Sequence, residues 1–329
     1  MIRTLGCLAL ALLVTMTTQA QQFKDSTGAV QVALVKMPYT GARNVAELSP
    51  VPGYLESGGI ADRLARLGAT VKGIAEVELT ADEQTQYGEW HRMGLANGHL
   101  ADIVAANARK GHLSVGLLAN CTSLLGVLGG LQHATAEPRR VGLVFIDAHG
   151  DFNTPETTLS GMLGGMPVAV AAGLALENLR LKSGLDPAIP TERIVMAAVR
   201  DLDPLERELL DASAVQLLSV DDIRTMSDQI HVQMLRLSEL TDVIYVHVDM
   251  DVLDPDEVAG HPLTVQDGPS SAELAAAITA MFAYEKVAAL GVASTPANER
   301  DPDGKSLQAA YRLIEAAVRG VQSRGEVER

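Results

Sequence analysis

Short apolar runs rich in valine, isoleucine and leucine recur along the chain, at 30–37, 70–77, 112–118, 140–146, 193–199, 214–219, 243–248 and 286–293. Each has strand length, and most are nearly continuous rather than alternating, which predicts strands buried on both faces. Between them the apolar positions take helical spacing, at 59–67, 81–110, 122–133, 162–176, 220–240, from Ser270 to 283, and at 304–320. Residues 49–53 read as a Pro/Gly loop, while Asp203 ahead of Pro204 and Ser270-Ser271-Ala272-Glu273 read as helix starts. Strands that alternate with helices throughout predict a mostly parallel central sheet covered on both faces. No internal repeat, low-complexity stretch or linker divides residues 21–329, so one domain is expected.

Two of the strands end in acidic residues. Val144-Phe145-Ile146 runs into Asp147-Ala148-His149-Gly150-Asp151, and Val246-His247-Val248 runs into Asp249-Met250-Asp251-Val252-Leu253-Asp254-Pro255. Aspartate is poor in strands and rarely buried without a partner. Ligands of open α/β sheets gather beyond the carboxyl ends of the strands, so two such ends side by side would bring four Asp and one or two His together. Carboxylates that close resist ionisation unless a cation lies among them. A donor set rich in oxygen with a minority of His suits Mn²⁺ or a similar ion better than a structural Zn²⁺.

Composition narrows the picture. A formal net charge of −15 disfavours nucleic acid and anionic membrane surfaces as partners. Arg3, the apolar run at 5–14 and Thr18-Gln19-Ala20 read as a secretory signal peptide over 1–20, cleaved after Ala20, which places the protein in the periplasm or outside the cell. The run is too short for stable insertion across a membrane. Cleavage removes Cys7 and leaves Cys121 alone, which excludes an intrachain disulfide. On residue type, Cys121 is open to three roles: a buried small side chain, a reactive thiol, or a metal ligand.

At the two acidic strings the sequence resembles the arginase/agmatinase (ureohydrolase) family, over about 30–320. The resemblance implies a three-layer α/β/α fold and two Mn²⁺ ions that activate a bridging hydroxide against a guanidinium carbon, releasing urea. It implies that Asp147 and Asp249 bridge the ions, that Asp151 binds one, and that His149 and Asp251 bind the other. The family carries another ligand His in a Gly-Gly-Asp-His-Ser string; here Leu118-Ala119-Asn120-Cys121-Thr122 stands in its place, making Cys121 a ligand. A sulfur ligand is softer and could shift the preference towards Zn or Fe. A Cys there also resembles the branch that hydrolyses N-hydroxy-arginine. Asn153, Thr158 and Ser160 match a loop that binds an α-carboxylate, and Asp203 and Glu206 match residues near an α-amino group. The expected substrate is therefore a small, amino-acid-like guanidino or amidino compound, and the resemblance also implies a homo-oligomer.

Three positions depart from the family pattern. Gly164 replaces a His that shuttles protons, Met162 replaces an Asn of the same loop, and Ser294-Thr295-Pro296 lies where a Glu holds the guanidinium. Losing that Glu removes a charge-assisted contact with a cation. His247, His261 and Glu299 are the substitutes on offer. His247 leads, because period-2 alternation sets it on the face of its strand that carries Asp249 and Asp251. The expected catalytic groups are thus Asp151 and His247. Beside this hydrolase stand two other readings: a metal-holding protein with little turnover, and a hydrolase of formimidoyl or amide compounds.

Overall fold

In the computed structural model, which describes residues 23–40 and 48–325, the apolar runs form eight strands. They are β1 (Gln31–Met37), β2 (Thr70–Glu76), β3 (Leu113–Leu118), β4 (Val141–Ile146), β5 (Ile194–Ala197), β6 (Gln216–Leu218), β7 (Val243–Asp249) and β8 (Val287–Ala293). All pair in parallel, in the order β2-β1-β3-β8-β7-β4-β5-β6. Central strands β3, β4, β7 and β8 are buried along their whole length, whereas β2 at one edge is mostly exposed. That contrast follows from coverage on both faces in the middle and pairing on one side only at the edge. The predicted leader, 1–20, lies outside the described residues.

Twelve α-helices connect and cover the described strands. Between β1 and β2 come α1 (Val51–Ser57) and α2 (Ile60–Arg66), and between β2 and β3 come α3 (Ala81–Gln84) and α4 (Glu89–Arg109). Helix α5 (Leu124–Gln132) follows β3, and α6 (Pro167–Ala171) and α7 (Glu177–Lys182) follow β4. Then come α8 (Pro204–Asp211), α9 (Val220–Thr225), α10 (Asp228–Leu240), α11 (Ser271–Phe282) and α12 (Lys305–Gln322). Helix α5 lies against α4 and touches β4, β7 and β8; α11 and α12 pack on each other, with α12 against β8 and α10 against β7. The result is a three-layer α/β/α fold. Gly126 and Gly130 explain why the segment after β3 is glycine-rich: a Cβ at either would run into the backbone of α4 at Asn97 or Ala101.

Several expected boundaries are corrected. Residues 49–53 are not all loop, because α1 starts at Val51 with Pro52 in its first turn, where a missing N–H costs nothing. The helix expected over 81–110 is two helices, broken at Gly88, whose φ of 99° a continuous helix does not allow. The helix expected over 162–176 shrinks to α6, preceded by a 3₁₀ turn at Leu163–Gly165, because Pro167 can only begin a helix. The segment 220–240 splits at Met226, which takes a left-handed conformation (φ 52°) as the C-cap of α9.

Candidate functional site

Strand order builds the site. The strands β3, β8, β7 and β4 are neighbours, so the residues just past their carboxyl ends meet: Cys121 after β3, Ser294 after β8, Asp249 at the end of β7 and Asp147 after β4. This end of a parallel sheet is where ligands of open α/β folds bind. Asn120 caps the turn that carries Cys121, accepting from Thr122 N at 3.1 Å and donating to Thr40 O at 2.8 Å. Asp151 and Ser294 both sit at positive φ, 47° and 59°. Such backbone costs free energy and persists where the surroundings impose it. For Asp151 the start of α6 does so: Val168 N and Ala169 N donate to its carbonyl.

The carboxylates form one cluster. Asp249 Oδ2 accepts from Ser294 Oγ at 2.8 Å and from Cys121 Sγ at 2.7 Å, and Asp249 Oδ1 accepts from Asp251 N at 3.2 Å. Asp147 Oδ1 accepts from His149 N at 2.7 Å, and His149 Nδ1 lies 3.1 Å from Asp251 Oδ2. Asp151 accepts no side-chain hydrogen bond from any described residue, although it is buried. Three overlapping triads could each hold an ion: Cys121, Asp147 and Asp151; Asp147, His149 and Asp251; and Asp249, Asp251 and His261. Within each triad the ligand atoms lie within 4.8 Å of one another.

Charge in this cluster is unbalanced. Burial, then the neighbouring Asp147, pushes Asp251 up to about 6. Burial and the other carboxylates raise Asp147, Asp151 and Asp249 as well. Burial and the same acids push the Cys121 thiol well above its ordinary value. For His149, burial acts downwards, but hydrogen bonds to Asp147 and Asp251 prevail and lift it to about 12. Crowded, buried carboxylates of this kind gain from a cation placed among them. His261 gives a second sign: it is buried, its Nε2 has no hydrogen-bond partner among the described residues, and that nitrogen stands 3.7 Å from Asp249 Oδ1. Four carboxylates, two imidazoles and a sulfur make a donor set that fits two divalent cations.

Above the cluster lies a cavity of about 310 Å³. It is lined by Cys121, Asp147, His149, Asp151, Asp249 and Asp251, and also by Asn153, Thr158, Ser160, Asp203 and Glu206. Asn153 donates to Asp203 Oδ2 at 3.2 Å, and Thr158 and Ser160 bond each other at 3.4 Å. The buried Glu206 ties the loop together, accepting from Phe152 N at 2.8 Å and from Asp203 N at 3.1 Å. Glu206→Ala leaves both N–H groups without that partner and is expected to cost about 1–3 kcal/mol in urea denaturation, with Glu206→Gln losing less. Gly164 and Met162 line the cavity on one side, and His261, Pro262 and Leu263 line it on another.

His247 is elsewhere. It does not line the cavity; it is fully buried behind Cys121, with Nε2 3.2 Å from the sulfur and Nδ1 2.7 Å from the Tyr245 hydroxyl. Burial holds its pKa down to about 3. Alternation had put it on the right face of β7, but the Cys121 side chain stands between it and the cavity. Glu299 lies in a separate surface groove with Asp256 and Lys305. Two contributors escaped the sequence reading in the roles the structure gives them. His261 enters as a second imidazole beside the carboxylates, and Ser294 fastens Asp249. Neither position carries a spacing signal, since loop geometry alone brings them in.

The sequence model of the Arginase family matches residues 70–319. An arginase from Brevibacillus brevis is 28% identical over 232 residues, covering 68% of this chain and 76% of that protein. Among solved structures, an arginase from Bacillus subtilis superposes with a TM-score of 0.75 at 25% identity, covering 88% of this chain and 98% of that one. A formimidoylglutamase from Bacillus subtilis shares the fold, with a TM-score of 0.71 at 17% identity, over 92% of this chain and 90% of that one. The chain belongs to the arginase family, hydrolases that act on C–N bonds in amidino compounds.

Proposed function

We propose that the protein is a binuclear metal hydrolase of a small, amino-acid-like guanidino or amidino compound, releasing urea. The observation that carries this reading is the convergence of Asp147, Asp151, Asp249 and Asp251 with His149, His261 and Cys121 on one face of one cavity. Asp147 and Asp249, at the ends of adjacent strands β4 and β7, would both help to hold the ions, as the family resemblance implies. Two divalent cations held there, Mn²⁺ first among the candidates, would supply a nucleophile from water near neutral pH and polarise the attacked carbon. Asp151, which accepts no side-chain hydrogen bond among the described residues, would be the carboxylate that takes up a proton. Asn153, Thr158 and Ser160 on one wall and Asp203 on the next can receive a carboxylate and an amine respectively. Glu206 supports that wall through the N–H groups of Phe152 and Asp203.

One observation favours a second reading. Ser294 presents a hydroxyl already committed to Asp249, and no described carboxylate stands at that position to hold a guanidinium. A formimidoyl or amide substrate, which needs less charge opposite it, would suit such a wall. Incubation with a panel of guanidino, formimidoyl and amide compounds, with added Mn²⁺, decides between them. Urea is the expected product. Formamide or ammonia without urea would transfer the assignment to the second reading, and a metal-loaded protein with no product from any compound would leave a binding protein. Export to the periplasm or beyond, supported by the leader-like 1–20, and self-association, supported by the family resemblance, complete the proposal. No described helix is long and apolar enough to cross a membrane.

A further inference from the structure

Behind the cavity, Cys121 continues into a buried line with two side chains that the proposed reaction does not use, His247 and Tyr245. All three are shielded from water. The line is built into the sheet. His247 lies flat on Phe145 of β4, with ring centroids 5.5 Å apart and planes 10° apart. Across the sheet its register partner on β8 is Gly291, and a Cβ on Gly291 would collide with the Tyr245 hydroxyl. The missing side chain on β8 therefore makes room for a phenol on β7.

Hydrogen-bond accounting fixes the direction of the line. Among the described residues the Tyr245 hydroxyl has one polar neighbour, Nδ1 of His247 at 2.7 Å. A buried hydroxyl proton needs an acceptor, so Tyr245 donates and Nδ1 must offer its lone pair. The ring proton then sits on Nε2, which faces the Cys121 sulfur at 3.2 Å. That sulfur also contacts Asp249 Oδ2 at 2.7 Å and Asp147 Oδ2 at 3.9 Å.

We infer that Tyr245 and His247 are positioning residues that select one imidazole tautomer and aim a single N–H at the Cys121 sulfur, so that the sulfur is held towards Asp147 and Asp249. The consequence for metal binding rests on the function proposed above; the hydrogen-bond direction does not. Groups that orient a ligand from behind commonly change metal affinity by ~10–100-fold when removed. A sulfur that accepts an N–H is also less electron-rich, which raises the energy of sulfur-to-metal charge transfer.

Two measurements test this. In metal-free protein labelled with ¹⁵N-histidine, His247 should show the Nε2–H tautomer, and Tyr245→Phe should give a mixture. An Nδ1–H tautomer in the wild type would overturn the inference. In Co²⁺-loaded protein, the wild type should show a near-ultraviolet sulfur band that Cys121→Ser lacks. Tyr245→Phe and His247→Leu should weaken Co²⁺ binding by ~10–100-fold and move the band to longer wavelength, while His247→Gln, which keeps an N–H donor, restores it. Unchanged affinity and band in both Tyr245→Phe and His247→Leu would also overturn it. A wild type that takes up no Co²⁺ would instead sink the metal-hydrolase reading, and the tautomer in the metal-free protein would still decide this one.

Discussion

Asp249→Asn is expected to abolish metal uptake and hydrolysis together. Asp249 meets four neighbours in the cluster: Ser294 and Cys121 at Oδ2, the Asp251 backbone at Oδ1, and His261 across 3.7 Å. It sits in one candidate triad with Asp251 and His261, and its strand end lies beside that of Asp147. An amide keeps the shape but loses the charge that binds a cation. Loss of metal affinity should therefore exceed the ~10–100-fold typical of removing an outer partner. Elemental analysis after dialysis and a urea assay measure the two effects. The metal-free variant should unfold at the same temperature as metal-free wild type or higher, because one of several repelling carboxylates has gone. Near-normal turnover in Asp249→Asn would remove the basis of the assignment.

The fold was legible in the chain wherever burial on both faces wrote itself as unbroken apolar runs. Strands β4, β7 and β8 are of this kind, and their positions follow directly from residues such as Val141–Ile146. Helix ends were less legible, because single residues decide them. Met226 in the left-handed region ends α9 with no Gly to announce it, and Pro167 sets the start of α6 against an apolar pattern that continues through it. In the site, the carboxylates that lie on strand ends could be read from the sequence, since a strand direction and a chain motif determine them. His261 could not be placed that way: it reaches Asp249 from a loop, and its burial depends on how that loop folds over the sheet. His247 shows the limit of alternation. The pattern gives the face of β7, but Cys121 arrives there from β3, past β8, which is a matter of strand order rather than of spacing.

Metal-free protein should lose stability as pH rises from about 5 to 8, and the cause lies in the same cluster. A carboxylate whose folded pKa is raised is protonated more readily in the folded state than in the unfolded chain. Its contribution is complete below the unfolded pKa of ~3.9 and is lost as pH climbs through the folded value. For Asp251 the window runs from the ordinary value up to about 6, and the part of the loss above pH 5 is on the order of 1 kcal/mol. Asp147, Asp151 and Asp249 are raised too and act in the same direction. His149, lifted to about 12, adds stability that is complete below the unfolded pKa of ~6.5 and declines above it, so it does not oppose the trend. The melting temperature in chelator should fall by roughly 5 °C across this range. Asp251→Asn should flatten the slope, which separates this cluster from the general repulsion of a chain with net charge −15. Divalent metal should reverse the trend, because binding requires the deprotonated carboxylates and neutral His149. At a concentration ~100 times the Kd, each ion stabilises the fold by about 2.7 kcal/mol, and the gain over chelator should be larger at pH 8 than at pH 6. A metal-free melting temperature that is flat or rises between pH 5 and 8, with Asp251→Asn indistinguishable from wild type, would mean that the buried acids are not held protonated and that the cluster does not depend on cations to neutralise it.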